Sequence, residues 1–256
     1  RIISALHPTG FPVPKPYALC LDESIAGTMF YVMECVEGRV LWEPQLPGLE
    51  PKQRFAIYDA MNETLAKLHQ TDFVKLGLED FGRPGSYFSR QISRWGKQYV
   101  ASETESIPAM NKLMEWLPHN IPPGERSAIV HGDYRLDNMV LHPSEPRVLA
   151  VLDWEISTIG DPLADFTYHI MQWRMPAGGT GGGTGSLSGA DLKALGIPSE
   201  DEYVAMYCRR AGRAGIENLD FYFAYNFFRI AGILQGIMGR VRDGTAASSH
   251  ATSTAS

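Results

Sequence analysis

Cysteine is scarce in this chain: Cys20, Cys35 and Cys208 are odd in number, far apart and without any CxxC spacing. Neither a disulfide framework nor a zinc cluster is therefore expected, and the three thiols are expected to be buried and inert. Long apolar runs are missing as well. Nothing approaches the roughly 18 to 20 residues that cross a bilayer, and the opening RIISALHPTG lacks the layout of a secretory signal. A cytoplasmic protein with no membrane partner is expected. Positive charge is in short supply, with 23 Lys and Arg against 29 Asp and Glu and a net charge of -6, which argues against a chain whose main business is gripping nucleic acid. No internal repeat divides the sequence. What remains is ordinary globular composition, and 256 residues with 44% hydrophobic content can bury the core of one large domain or two small lobes.

The pattern of elements is strand-rich at the start and helical afterwards. Ile2, Ile3 and Leu6 share one side of what reads as the last turns of a helix, closed by Pro8 and Gly10. Two β-like runs, 17–21 and 29–34, flank the turn residues DESIAGT and read as a hairpin. From 51 to 70, Phe55, Tyr58, Met61, Leu65 and Leu68 recur every three or four residues, which predicts a helix. Further helices are predicted from about Tyr87, over 109–116 and over 221–240, the last apolar almost all round and so buried in a helical body. The Gly/Ser/Thr-rich stretch 176–189 is expected to be a mobile surface loop and 246–256 a disordered tail.

The chemistry gathers in VHGDYRLDNMVLHPSEPRVLAVLDWEIS, residues 130–157. MVLH and VLAVL are β-compatible runs separated by Pro143-Ser144-Glu145-Pro146 and read as a hairpin. A hairpin returns its far end to its near end, so Asp153 is brought beside Asn138, with Asp133 five residues upstream in an irregular loop. One carboxylate is then free to orient a hydroxyl, while a carboxamide and a second carboxylate offer the hard oxygen donors that Mg²⁺ prefers.

HGDYRLDN has the form H-x-D-x-x-x-x-N, and with the strand, turn and strand leading to Asp153 it resembles the catalytic and metal-binding loops of the protein-kinase-like superfamily. The glycine between His131 and Asp133, together with LDWEISTIGDPLADF, is closer to the aminoglycoside phosphotransferase and choline kinase branch. Within that branch HGDYRLDN, VLDWE, GDPLAD and YFSRQISRWGKQY resemble the kinase-like domain found alone in bacteria and fused to acyl-CoA dehydrogenases in animals. The resemblance implies an α+β, protein-kinase-like two-lobed fold with a mainly helical C-terminal lobe. It also implies ATP and Mg²⁺ as cofactors and transfer of the γ-phosphate to a hydroxyl of a small molecule. Asp133 would be the base, Asn138 and Asp153 would hold Mg²⁺, and Arg135 would neutralise charge on the transferring phosphate. The run FYVMECVEG resembles the hinge between kinase lobes, where Met33 would flank adenine, the Glu34 carbonyl would accept from the adenine amino group and the Val36 amide would donate to the ring.

The family also carries a glycine-rich phosphate loop, a strand lysine and a helix glutamate ahead of this hinge. None is found here in the right context, so the N-terminal lobe is expected to be truncated. The expected organisation is a partial N-terminal lobe and hinge over 1–38, a helical lobe with the catalytic loop and metal-binding hairpin over 39–245, and the tail. His131 reads as a structural hydrogen-bonding residue. Glu155 reads as a metal supporter or a helix-start carboxylate, Asp161 as a brace for the catalytic loop and Asp165 as part of the following helix. Arg90, Arg94 and Lys97 read as a solvated helix face, and Trp95 and Trp173 as core. The acidic residues of 196–244 are too scattered for a polycationic antibiotic site, and a hydroxy acid or hydroxyacyl thioester is the expected acceptor. The alternatives are a non-catalytic nucleotide-binding regulatory domain or an aminoglycoside- or choline-type kinase.

Overall fold

The chain opens with helix α1 (Ile2–Leu6), which buries Ile2, Ile3 and Leu6 and is stopped by a 3-10 turn and by Gly10 in the left-handed region. The structure, a computed structural model, describes residues 1–176 and 185–244. Strands β1 (Pro16–Cys20) and β2 (Phe30–Met33) form the expected antiparallel hairpin, Cys20 opposite Phe30. Their connection holds a one-turn helix, α2 (Glu23–Ala26), where only turn residues were expected. Asp22 caps it by accepting from the Ser24 N–H at 2.9 Å, and Gly27 closes it at φ 78°.

Helix α3 (Pro51–Gln70) starts where Pro51 supplies a preset φ and the Gln53 side chain accepts from the Glu50 N–H at 2.9 Å. It buries Ile57, Tyr58, Met61, Leu65 and Leu68, whereas Phe55, expected on the apolar face, stands exposed. Helices α4 (Tyr87–Ser102) and α5 (Pro108–His119) follow. Strands β3 (Ala128–Val130), β4 (Met139–Leu141), β5 (Val148–Val151) and β6 (Thr158–Gly160) lead into α6 (Pro162–Ile170), then α7 (Leu192–Leu195), α8 (Glu200–Arg210) and α9 (Leu219–Arg242).

Helix α9 is the long apolar helix that the sequence placed in the core. It lies along α4, with Phe221 and Tyr225 edge-on to Phe88 at 5.4 and 5.0 Å. Gly239 permits the approach, because a Cβ there would sit 2.9 Å from that of Ser102. On the other side of the body, Phe166 of α6 stacks on Tyr207 of α8 at 3.9 Å. Trp173 is buried, its indole N–H donating to the Pro198 carbonyl at 3.0 Å. The half-buried Trp95 packs against the core, but its indole nitrogen has no partner among the described residues.

The two short sheets that matter for function are nested. β3 pairs antiparallel with β6 (Val130 opposite Thr158), and inside that pair β4 pairs with β5 (Met139 opposite Val151). The segments joining the outer pair to the inner one, 131–138 and 152–157, must therefore face each other. The chain following β2 is tied to the same place. Arg39 and Leu141 exchange backbone hydrogen bonds of 2.7 and 2.8 Å, and Gly38 allows this because a Cβ there would lie 2.4 Å from the Leu141 carbonyl oxygen.

Cys208 is buried as expected, but Cys35 is exposed and Cys20 only half-buried. Both lie in or beside a two-stranded sheet with much of its surface in solvent. No helix among the described residues is long and apolar enough to cross a membrane. Of the expected glycine-rich loop, residues 177–184 lie outside the described residues, as does the whole of 246–256; Leu187, just beyond, is buried and donates its N–H to the Gln172 carbonyl at 2.8 Å.

Candidate active site

The loop that leaves β3 is held by its backbone before any side chain faces outward. His131 is fully buried; its Nε2 donates to the Leu152 carbonyl at 2.8 Å and its Nδ1 accepts from the Asp133 N–H at 3.2 Å. Those two bonds require the neutral imidazole, and burial pushes its pKa below the ordinary value. His131 is thus the structural residue expected, a strut between this loop and the one carrying Asp153. Gly132 stands at φ 89°, where a Cβ would crowd Ile156 at 3.1 Å.

Asp165 of α6 secures the turn. Its two carboxylate oxygens accept from the His131 N–H (2.7 Å) and the Gly132 N–H (2.9 Å), and His69 of α3 lies 3.3 Å from Oδ2. Burial opposes the charge, but the His69 hydrogen bond and the neighbouring imidazole and backbone donors outweigh it, and the carboxyl is held below the ordinary range. Bracing of the loop, expected of Asp161, therefore belongs to Asp165. Asp161 instead caps α6 through the Leu163 N–H at 2.8 Å and accepts from the Arg126 N–H at 3.1 Å. Glu155 lies exposed in a turn, and no helix begins there.

Asp133 follows, with 23% of its side chain exposed. The Asn138 side-chain amide donates to its carbonyl (2.9 Å) and to Oδ2 (3.0 Å), and the Tyr168 hydroxyl donates to Oδ1. Arg135 stands 3.8 Å from Oδ1 and is anchored by Asp137, its Nε 3.0 Å from Oδ1 of that residue. The nested pairing brings in Asp153 as expected: the Leu152 N–H bonds the Asn138 carbonyl at 2.8 Å, which makes Asp153 the next residue out. Asp153 is exposed at φ 61°, a left-handed conformation that Asp tolerates better than most residues, and no described residue hydrogen-bonds its carboxylate.

Asn138 spends its nitrogen on Asp133, which leaves its side-chain oxygen unspent, and the Asp153 carboxylate on the facing segment is likewise without a partner among the described residues. That donor set of hard oxygens fits Mg²⁺. Just after β2, where a hinge is expected, the Glu34 N–H bonds the Lys15 carbonyl at 2.8 Å, while the Glu34 carbonyl and the Val36 N–H have no partner among the described residues. Met33 is half-buried against the core. A narrow cleft opens beside the Asp133 loop, lined by Trp42, Pro44, Met171 and Met175 and by Arg135, Asp137 and Tyr168. Sequence reasoning named neither Tyr168 nor Arg229, whose guanidinium donates to the Gly132 carbonyl at 2.7 Å.

The model of the phosphotransferase enzyme family matches residues 1–222. Acyl-CoA dehydrogenase family member 10 of Mus musculus is 47% identical over 254 residues; the match covers 98% of this chain but only 23% of that protein's length. A solved structure from Ralstonia eutropha, described provisionally as an aminoglycoside phosphotransferase, is 54% identical with a TM-score of 0.93 over 99% of this chain and 77% of that one. An aminoglycoside-3'-phosphotransferase of type VIII, 20% identical, has a TM-score of 0.60 over 89% of this chain and 79% of its own, a likeness of fold alone. The architecture is the expected α+β, protein-kinase-like one, mainly helical in its C-terminal part.

Proposed function

We infer what this chain does from one premise: it belongs to the phosphotransferase enzyme family. The reading is transfer of the ATP γ-phosphoryl group to a hydroxyl of a small molecule, with residues 1–38 as lobe and hinge and 39–245 as the catalytic lobe. The observation that carries it is the convergence of Asp133, Asn138 and Asp153 between two nested strand pairs, the first held rigidly and the last left open. Asp133 orients the acceptor hydroxyl and takes its proton; its oxygens keep lone pairs beyond those spent on Tyr168 and Asn138. Asn138 and Asp153 would hold Mg²⁺, which when bound offsets the charge of the phosphate oxygens. Arg135 adds positive charge beside the base, and Asp137 fixes where that charge sits. The free Glu34 carbonyl and Val36 N–H suit the adenine edge, with Met33 flanking the ring.

A hydroxy acid or hydroxyacyl thioester is the acceptor favoured here. The narrow cleft lined by Arg135 and Tyr168 offers Trp42, Met171 and Met175 to an apolar group and Arg135, already paired with Asp137, to a carboxylate or phosphate, and the name of the mouse relative points to acyl chemistry. The test is Mg²⁺-dependent ATP turnover by the full-length protein and by Asp133→Ala, with hydroxy acids, hydroxyacyl-CoAs, choline and aminoglycosides as acceptors. Turnover stimulated by the acids or their thioesters and lost in the variant is the expected result. Turnover on aminoglycosides alone would sink the acceptor reading, and nucleotide binding with turnover on none would favour a binding domain.

A further inference from the structure

Arg229 is the anomaly of the core. It is 7% exposed, in the middle of α9, and its nearest carboxylate influence is the buried Asp165, which acts on it electrostatically without a direct ion pair among the described residues. Its guanidinium lies 4.9 Å from the centre of the Tyr168 ring and 5.8 Å from that of Trp95, and donates to the Gly132 carbonyl. A buried cation is a poor source of stability compared with an apolar side chain of similar volume, so a charge kept there calls for another reason. Its neighbours supply one. Gly132 is the residue before Asp133, and Tyr168 is the residue whose hydroxyl donates to the Asp133 carboxylate.

We propose that Arg229 and Tyr168 form a positioning pair that fixes the Asp133 carboxylate for the acceptor hydroxyl, Arg229 through the Gly132 peptide and the Tyr168 ring, Tyr168 through its hydroxyl. The Gly132 peptide is clamped on both sides, its N–H by Asp165 and its carbonyl by Arg229. The carboxylate is likewise held at each oxygen, Oδ2 by Asn138 and Oδ1 by Tyr168. Burial and the adjacent carboxylate push the Tyr168 phenol well above its ordinary pKa, so it remains a donor. Helix α9, 97 residues along the chain from Gly132, thereby bears on the base. Tyr168 also lines the acceptor cleft, so the same side chain meets both the base and the molecule it acts on.

The inference rests on reading Asp133 as the base, and the experiment separates the two. Steady-state ATP turnover would be measured for wild type, Asp133→Asn, Tyr168→Phe, Arg229→Lys, Arg229→Met and the Tyr168→Phe/Arg229→Met double variant. Tyr168→Phe is expected to lower kcat by about ten- to a hundredfold with the nucleotide KM unchanged. Arg229→Met is expected to do the same, Arg229→Lys to recover part of the loss, and the double variant to fall short of the product of the two single losses. Unchanged kcat in Tyr168→Phe, beside an inactive Asp133→Asn, would overturn the positioning pair and spare the base; full activity in Asp133→Asn would overturn the base itself. Urea unfolding of Asp133→Ala, Tyr168→Phe and their combination reads the same contact without turnover: a coupling between the two substitutions supports the pair, and strict additivity overturns it.

Discussion

Two carboxylates on facing loops, Asp133 and Asp153, are treated in opposite ways by the same fold. Asp133 is hydrogen-bonded at both oxygens, on a loop whose preceding peptides are gripped by Asp165 and Arg229. Asp153 is exposed, carries no hydrogen bond from any described residue and sits at φ 61°. On the proposed reading Asp133 is a base that must meet one proton along one direction, so its freedom is removed in advance, at a cost borne by folding, and Asp153 is a metal ligand. A ligand for a hydrated cation is completed by that cation, so its own partners are left open. The contrast separates what each residue contributes: Asp133 and its surroundings link activity with stability, whereas Asp153 separates them.

The largest effect is expected at Asp133, the proposed base. Asp133→Asn should lower acceptor-dependent turnover by about 10³-fold, within the range that general bases supply, while nucleotide affinity measured by calorimetry stays near that of wild type. Close behind it, Asp165→Ala would leave the His131 and Gly132 amides and His69 without their partner in the core. A loss of about 3 to 5 kcal/mol in urea unfolding is expected. If Asp165→Ala were no less stable than a surface variant, the rigidity assigned to the Asp133 loop would be wrong.

Much of this contrast could be read from the sequence, and the part that could not has a physical reason. The β4–β5 hairpin, the placing of Asn138 beside Asp153 and the span of α3 follow from local pattern, because turn residues and apolar spacing act over a few positions. So do the ends of α2, since Asp22 and Gly27 are cap residues, although a turn draws on the same residue types. The grips on the Asp133 loop come from residues 34 and 97 positions along the chain, and only the packing of α6 against β3 and of α9 against α6 brings them there. A signal did exist for Arg229, one charged residue within the apolar run FYFAYNFFRIAGIL. Asp165 shared a motif with Asp161, and sequence alone could not divide the work between a helix cap and a loop brace.

The buried histidines behind the Asp133 loop add a pH dependence of intermediate size. Burial pushes His169 down to about 4, and His131 is lowered for the same reason. The unfolded chain takes up protons on these groups below the ordinary value of 6.5 while the folded chain does not, so stability falls as pH drops from there toward 4. Asp165 contributes in the same direction once the pH passes below 3.8, its ordinary value, because its folded pKa is lower. Between pH 6.5 and 5 the loss is expected to be about 2 kcal/mol for His169. Urea midpoints across that range should flatten in His169→Gln; an unchanged slope would remove the histidine from the account.

The smallest effect on stability lies on the open side of the comparison. Asp153→Gly relieves a left-handed residue and breaks no hydrogen bond, so stability should rise by up to about 1 kcal/mol while Mg²⁺-dependent turnover is lost. A destabilised Asp153→Gly would mean that this carboxylate is part of the scaffold after all.

The division of labour between the two carboxylates is tested most directly by Mn²⁺ binding, followed by electron paramagnetic resonance with a non-hydrolysable ATP analogue, in wild type, Asp133→Asn and Asp153→Asn. Asp153→Asn is expected to weaken Mn²⁺ about ten- to a hundredfold, an effect of the size of about 1.4 to 2.8 kcal/mol, and Asp133→Asn to leave it within about twofold, well under 1.4 kcal/mol. Equal weakening by both substitutions, or by neither, would contradict the assignment of one carboxylate to the proton and the other to the metal.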